Sequence, residues 1–253
     1  MDFDTKYSLM KKAGNILTSV FNDLRKFLKE GIELNKIDNL AEEMIRSLGA
    51  EPAFKNYKAP FALNPYPYSI CLSLNEVIVH GYPKKNVYLK NGDVLKVDLG
   101  VKYQGVYSDA AFTLAIGEVE EKIEKLILTT KQALINASLI CLPGRTFGDI
   151  GWCIETTIED QGFKVIKNLC GHDIGDYLHG DLQVLNFGDP GKGKKILPGM
   201  FFTIEPMASF FSENAIENDE EYVYKTQKGD ISTHFEVTLA ILENKSEILT
   251  PII

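Results

Sequence analysis

The sequence predicts an α+β domain made of two similar halves, with helices on one face of a mostly antiparallel sheet. Helical periodicity comes in two blocks, each followed by strand-like segments, giving the order two helices, strands, two helices, strands. Glycine and proline stand where the helices should stop. The 253 residues suit one large domain or two small ones. The chain is read as a single domain over 1–253 that includes a short N-terminal helical region, 1–50.

The first helix is expected over 6–30, where Leu9, Ala13, Ile16, Val20, Leu24 and Leu28 recur every three or four positions and Gly31 offers a stop. A second, over 37–48, rests on Leu40, Met44, Ile45 and Leu48 before Gly49. Residues 52–70 hold Pro52, Pro60, Pro65 and Pro67 among aromatics and read as ordered but non-helical. Strands are expected over 70–80 and 93–115. A long helix over 118–140 rests on Ile123, Leu126, Ile127, Ala133, Leu134 and Ala137 and ends at Pro143-Gly144. Another covers 147–160. Strands over 163–170, 200–205, 220–226 and 231–242 follow. Gly191-Lys-Gly-Lys-Lys195 lacks the P-loop spacing and reads as a solvated loop.

Apolar residues are 45% and charged residues 25%, the balance of a globular protein whose core needs no disulfide staple. Cys71, Cys141, Cys153 and Cys170 are widely spaced with no C-x-x-C pair, which favours reduced thiols in a cytoplasmic protein over a zinc ribbon. The N-terminus shows no signal-peptide pattern, and no apolar stretch has the length of a bilayer span. A net charge of −8 argues against nucleic acid as the main ligand. Part of that charge is available to bind metal.

Asp98 and Asp109 lie four residues before and four after the turn-like Lys102-Tyr103-Gln104-Gly105. In a hairpin closed by that turn they are expected directly opposite each other, where like charges destabilise a strand pair. A cation between them resolves the conflict. Two more acids sit in apolar strands, Glu205 at the end of Met200-Phe-Phe-Thr-Ile-Glu205 and Glu236 at the start of Phe235-Glu-Val-Thr-Leu-Ala-Ile-Leu242. Each alone reads as an edge-strand acid facing water; four together make independent accidents less plausible. Of the four histidines, His80 ends an apolar strand, and His172 and His179 share a glycine-containing loop or bent strand. His234 is read as a structural hydrogen-bonder. Four carboxylates with one or more imidazoles suit Mn²⁺, Co²⁺ or Fe²⁺ better than a thiolate zinc site does, and two divalent ions neutralise four carboxylates.

The segments Ser73-Leu-Asn-Glu-Val-Ile-Val-His-Gly81, Asn91-Gly-Asp-Val-Leu-Lys-Val-Asp-Leu-Gly100, Tyr107-Ser-Asp109, Cys170-Gly-His-Asp-Ile-Gly175, Thr203-Ile-Glu-Pro206 and Phe235-Glu236 together resemble methionine aminopeptidases of the short, type I form. The resemblance runs along nearly all of the chain. It implies the pita-bread (creatinase/aminopeptidase-like) fold, with pseudo-twofold halves and helices on the outer face of a curved, mostly antiparallel sheet. It also implies hydrolytic removal of the initiator methionine from nascent proteins, with a small second residue preferred.

The implied ligands of a dinuclear centre are Asp98, Asp109, His172, Glu205 and Glu236. Asp109 would reach both ions and Glu236 would bridge them. Glu205 would shuttle the proton, His80 would contact the scissile amide, and His179 would donate to the substrate carbonyl. Tyr66, Cys71 and Leu178 match positions that line the methionine pocket. Pro60-Phe-Ala-Leu-Asn-Pro-Tyr-Pro67 departs from the family's usual pocket segment, and Tyr222 stands where a tryptophan is common. The implied cofactors are two divalent ions (Mn, Fe or Co, with Zn a further occupant) and one monovalent cation near Asn75, Val77 and Ser232. The implied partners are nascent polypeptide N-termini and, transiently, the ribosome, with no membrane or direct nucleic-acid role, and a monomer is implied. Lys84-Lys85 and Lys192 to Lys195 are available for ribosome contact but read first as solvated lysines.

Two other readings remain. An Xaa-Pro aminopeptidase or prolidase uses a similar centre but usually carries an extra N-terminal domain; about seventy residues precede Asn75 here, too few for one. An inactive binding protein on the same scaffold would typically have lost ligands that this chain retains.

Overall fold

The computed structural model describes residues 1–60, 62–218 and 220–251. Helices α1 (Phe3–Phe27) and α2 (Leu34–Ser47) precede strands β1 (Glu51–Pro52), β2 (Cys71–Leu74), β3 (Val77–Val79), β4 (Val94–Tyr103) and β5 (Val106–Ala115). Helices α3 (Glu121–Ile140) and α4 (Phe147–Glu159) follow. The remaining strands are β6 (Lys164–Val165), β7 (Cys170–His172), β8 (Gln183–Leu185), β9 (Phe201–Ile204), β10 (Met207–Ser209), β11 (Ala215–Glu217), β12 (Tyr224–Thr226), β13 (Ser232–His234), β14 (Val237–Ile241) and β15 (Ser246–Ile248). The block order expected from the sequence is observed.

Helix α1 starts three residues before the expected position 6 because Asp2 caps it, accepting from the Thr5 N–H at 2.9 Å. Its buried face, including Ala13, Ile16, Val20 and Leu24, packs on β4 and β5. Helix α4 begins on a capping box between Thr146 and Asp149. Helix α3 lies against β10 and β13, and α4 against β6 and β8. Each half therefore has two helices behind its strands, which include the ten-residue β4 and β5 in the first half and are shorter in the second. No described helix is long and apolar enough to cross a membrane.

All strand pairs among the described residues are antiparallel, but they form several small sheets rather than one. The expected strand over 163–170 survives only as β6 before the chain enters β7, and that over 231–242 breaks between β13 and β14. Glu236 leaves the ladder there and bridges Ala111 instead.

The face-to-face placement of Asp98 and Asp109 is corrected by the register. Asp98 pairs with Ala111, and Asp109 with Gly100. The hairpin closes on a two-residue turn, Gln104 at φ 47° and Gly105 at φ 87°. Positive φ at both positions matches the twist of the flanking strands and makes Tyr103 and Val106 the closing pair. The two aspartates are consequently diagonal neighbours on one face of the hairpin.

Candidate metal centre

The five expected ligands converge on one cavity of about 520 Å³. Asp98 projects from β4, Asp109 from β5, His172 from the end of β7 and Glu205 from just beyond β9. Glu236 is tied beside Asp109 by backbone pairing. Its N–H donates to the Ala111 carbonyl at 2.8 Å and its carbonyl accepts from the Ala111 N–H at 3.2 Å. Thr238 Oγ1 accepts from the Asp109 N–H at 3.0 Å and donates to the Asp109 carbonyl at 2.7 Å. A bridge between Asp173 and Phe202 brings β7 against β9, and with it His172 to Glu205.

Ligand atoms of Asp98, Asp109 and Glu236 all lie within 4.8 Å of one another, and so do those of His172, Glu205 and Glu236. Asp109, His172 and His179 form a third such group. Glu236 belongs to the first two of these groups at once. The oxygens Asp98 Oδ1, Asp109 Oδ1 and Glu236 Oε1 are buried and meet no hydrogen-bond donor among the described residues. Burial pushes the Asp98 carboxyl up to about 7 and the Asp109 and Glu236 carboxyls well above the usual range, and the crowded acids around Asp109 and Glu236 push those further. Burial also raises Glu205 to about 7, against the pull of His172. Buried, orphaned oxygens aimed at a common space are costly without a counter-charge. This donor set fits divalent cations that favour oxygen and imidazole.

The His172 Nδ1–H donates to the Asp173 carbonyl at 3.1 Å. Its Nε2 is left 3.8 Å from both Glu205 Oε1 and Glu236 Oε1. Burial lowers its pKa, so the ring is neutral, with the free Nε2 lone pair that a metal ligand needs.

His80 and Tyr222 both have left-handed backbones, at φ 59° and 72°. The His80 Nδ1–H donates to the Tyr222 carbonyl at 3.0 Å, which leaves Nε2 as the polar atom His80 can offer the cavity it lines. The next residue must be glycine, because a Cβ on Gly81 would lie 2.4 Å from the Leu72 carbonyl oxygen. Burial holds His80 down at about 4. Burial, then His172 and His80, holds His179 well below the usual imidazole value. Both are neutral at physiological pH.

Phe54, Tyr57, Tyr66, Cys71 and Tyr222 supply apolar wall. The Tyr66 hydroxyl is anchored outside it, facing the Ile70 and Gly81 carbonyls at 3.2 and 3.1 Å. Leu178 is buried in the same apolar cluster as Phe54, Tyr66, Cys71 and Tyr222 but is not among the residues lining the cavity. Phe61 of the departing pocket segment lies outside the described residues. Near the expected monovalent-cation position, Ser232 Oγ faces the Asn75 and Val77 carbonyls at 3.0 and 3.2 Å. The buried Lys96 ammonium donates to that same Asn75 carbonyl at 2.7 Å.

His234 lines the cavity, although its sequence context gave it a purely structural reading. The strand breaks between His234 and Glu236, so alternation does not tie the two to one face, and a single histidine in the sequence carries little signal.

The model of metallopeptidase family M24 matches residues 8–243. A methionine aminopeptidase from Clostridium acetobutylicum is 38% identical over 247 residues, covering 98% of this chain and 96% of that protein. The crystal structure of a methionine aminopeptidase from Thermotoga maritima superposes with a TM-score of 0.93 at 37% identity, covering 97% of this chain and 96% of that one. A prolidase from Pyrococcus horikoshii shares the fold alone, with a TM-score of 0.75 at 21% identity, covering 97% of this chain but 62% of its own. With a family match spanning most of its length and a near-full-length relative above 30% identity, the chain belongs to metallopeptidase family M24.

Proposed function

We propose that this chain is a methionyl aminopeptidase that removes the initiator methionine from polypeptide N-termini and prefers a small second residue. The observation that carries the reading is the pair of ligand clusters sharing Glu236, set beside His80 and His179 in one cavity. Near-full-length similarity to proteins named methionine aminopeptidase supports the substrate class.

In this reading Asp98, Asp109 and Glu236 would hold one divalent ion, and His172, Glu205 and Glu236 would hold the other, with Asp109 available to both. Mn²⁺, Fe²⁺ and Co²⁺ suit the set, as does Zn²⁺, and availability decides between them as much as affinity does. When bound, such ions supply Lewis-acid polarisation of the scissile carbonyl and a water nucleophile acidic enough to act near neutral pH. Glu205 takes the proton from the attacking water and delivers it to the leaving amide nitrogen. His80 contacts that amide through Nε2. His179 donates to the carbonyl oxygen as negative charge develops on it, a kind of contact that lowers barriers by a few kcal/mol. The methionine side chain packs against Tyr66, Cys71 and Tyr222. The substrates are nascent chains met in the cytoplasm by a monomer in transient contact with the ribosome.

A metal-by-substrate matrix tests the reading. Met-Ala-Ser and an Xaa-Pro peptide are each incubated with the metal-free protein plus Mn²⁺, Fe²⁺, Co²⁺ or Zn²⁺. Methionine release that requires a divalent ion is expected. Preference for the Xaa-Pro peptide would move the chain to the prolidase side of the family. Failure to bind any of the ions, with no hydrolysis, would make it an inactive relative.

A further inference from the structure

We infer that His234 is a positioning residue for Glu205: its Nε2–H holds Glu205 Oε2 and so fixes the orientation in which that carboxylate meets the metal centre. The inference rests on the centre proposed above and adds a residue to it.

The two oxygens of Glu205 have different surroundings. Oε1 accepts from Thr203 Oγ1 at 3.2 Å and faces His172 Nε2 at 3.8 Å. Oε2 faces His234 Nε2 at 3.5 Å. The carboxylate is therefore bracketed by two imidazoles, one on each oxygen. His234 is fully buried, and neither of its ring nitrogens has a hydrogen-bond partner among the described residues. An unsatisfied buried polar atom is costly. A small side-chain rotation that closes 3.5 Å to hydrogen-bond length would satisfy Nε2 with a charge-assisted bond.

The backbone around both groups is fixed. The His234 N–H donates to Thr113 Oγ1 at 2.9 Å, and its carbonyl accepts from the same hydroxyl at 2.6 Å. The Glu205 carbonyl accepts from Asn186 Nδ2 at 3.0 Å. Any adjustment is thus confined to the two side chains. His234 belongs to none of the groups whose ligand atoms converge within 4.8 Å, which makes it a support for a ligand rather than a ligand.

Calorimetric titration of metal-free wild type, His234→Leu and His234→Gln with Mn²⁺ tests this, alongside thermal melts of the metal-free proteins. Loss of an outer support typically weakens metal binding about 10–100-fold. That loss is expected in one of the two binding events of His234→Leu, with the other retained. His234→Gln keeps an N–H donor and should recover most of the affinity. Wild-type affinity at both sites in His234→Leu overturns the inference, as does a His234→Gln protein impaired as much as His234→Leu. Should His234→Leu fail to fold, ¹⁵N NMR of the Zn²⁺-loaded wild type reads the tautomer directly. A proton on Nε2 supports the inference; a bare or metal-bound Nε2 overturns it. If the wild type does not bind Mn²⁺, the titrations are run with Fe²⁺, Co²⁺ or Zn²⁺; absence of binding of all four would overturn the centre and this inference together, whereas each of the other adverse results overturns this inference alone.

Discussion

The imidazoles of His172 and His179 meet edge to face, with ring centroids 4.5 Å apart and planes at 84°. Tyr57 packs edge-on against the other side of this pair, 5.0 Å from His179. A residue of the ligand clusters thus buttresses one assigned to substrate. His179→Ala should lower kcat by about 10²–10³ with little change in KM, the size of loss seen when one donor to developing charge is removed. Steady-state kinetics on Met-Ala-Ser will show it, and an unchanged kcat would remove His179 from that role.

Asp98→Asn and Asp109→Asn should each abolish or greatly reduce methionine release. Both should leave the metal-free fold as stable as wild type or more so, because each removes a buried carboxyl whose ionisation is opposed by burial and, for Asp109, by the acids around it. The comparison needs activity at limiting metal and urea melts in chelator. Full activity in both variants would end the dinuclear reading.

The stability of the metal-free protein should fall as pH rises from about 6.5 to about 8.5. The raised carboxyls of Asp98, Asp109, Glu205 and Glu236 bind protons more tightly folded than unfolded. Their stabilising contribution is fully present below about pH 4 and is lost as pH rises through the folded values. The buried histidines have lowered values and act in the opposite sense, but only below about pH 6.5. Above that pH the four carboxylates act together, opposed by the buried Lys96 amine, whose value burial lowers well below the usual range. Thermal melts in chelator across this window should show a falling midpoint, and a bound divalent ion should flatten it.

Gly81→Ala should cost about 1–3 kcal/mol, the usual penalty for forcing volume into a packed site. The new Cβ would press on the Leu72 carbonyl and on Ser73 Cα at 2.7 Å, which are backbone atoms of β2 and cannot swing aside. Because His80 is the adjacent residue, catalytic efficiency should fall together with the melting temperature.

The helices were legible because a 3.6-residue stripe survives over ten or more residues, as in α1 and α3. The acids of the candidate site were legible because four carboxylates inside apolar strands are conspicuous together, whereas the full ligand set rested on the family resemblance. Strands β8, β10, β11 and β15 are three residues each, too short for alternation to register. The register of the β4–β5 hairpin depended on Gln104 adopting positive φ, which glutamine does not advertise. Leu178 shares its apolar cluster with the wall residues Tyr66, Cys71 and Tyr222 without lining the cavity itself, a distinction that position along the chain does not carry. His234 was passed over because a single histidine carries little signal until its distance to Glu205 is known.

The turn at Gln104 and Gly105 works as a gauge block for chemistry carried out several residues away. Side chains alternate between faces along both arms of the hairpin. One residue inserted at this exposed tip that slid either arm by a single step would turn Asp98 or Asp109 out of the cavity. The tip should accept changes of side chain that keep its two positive φ values. It should not accept a change of length, a constraint that falls on a solvent-facing loop with no ligand of its own.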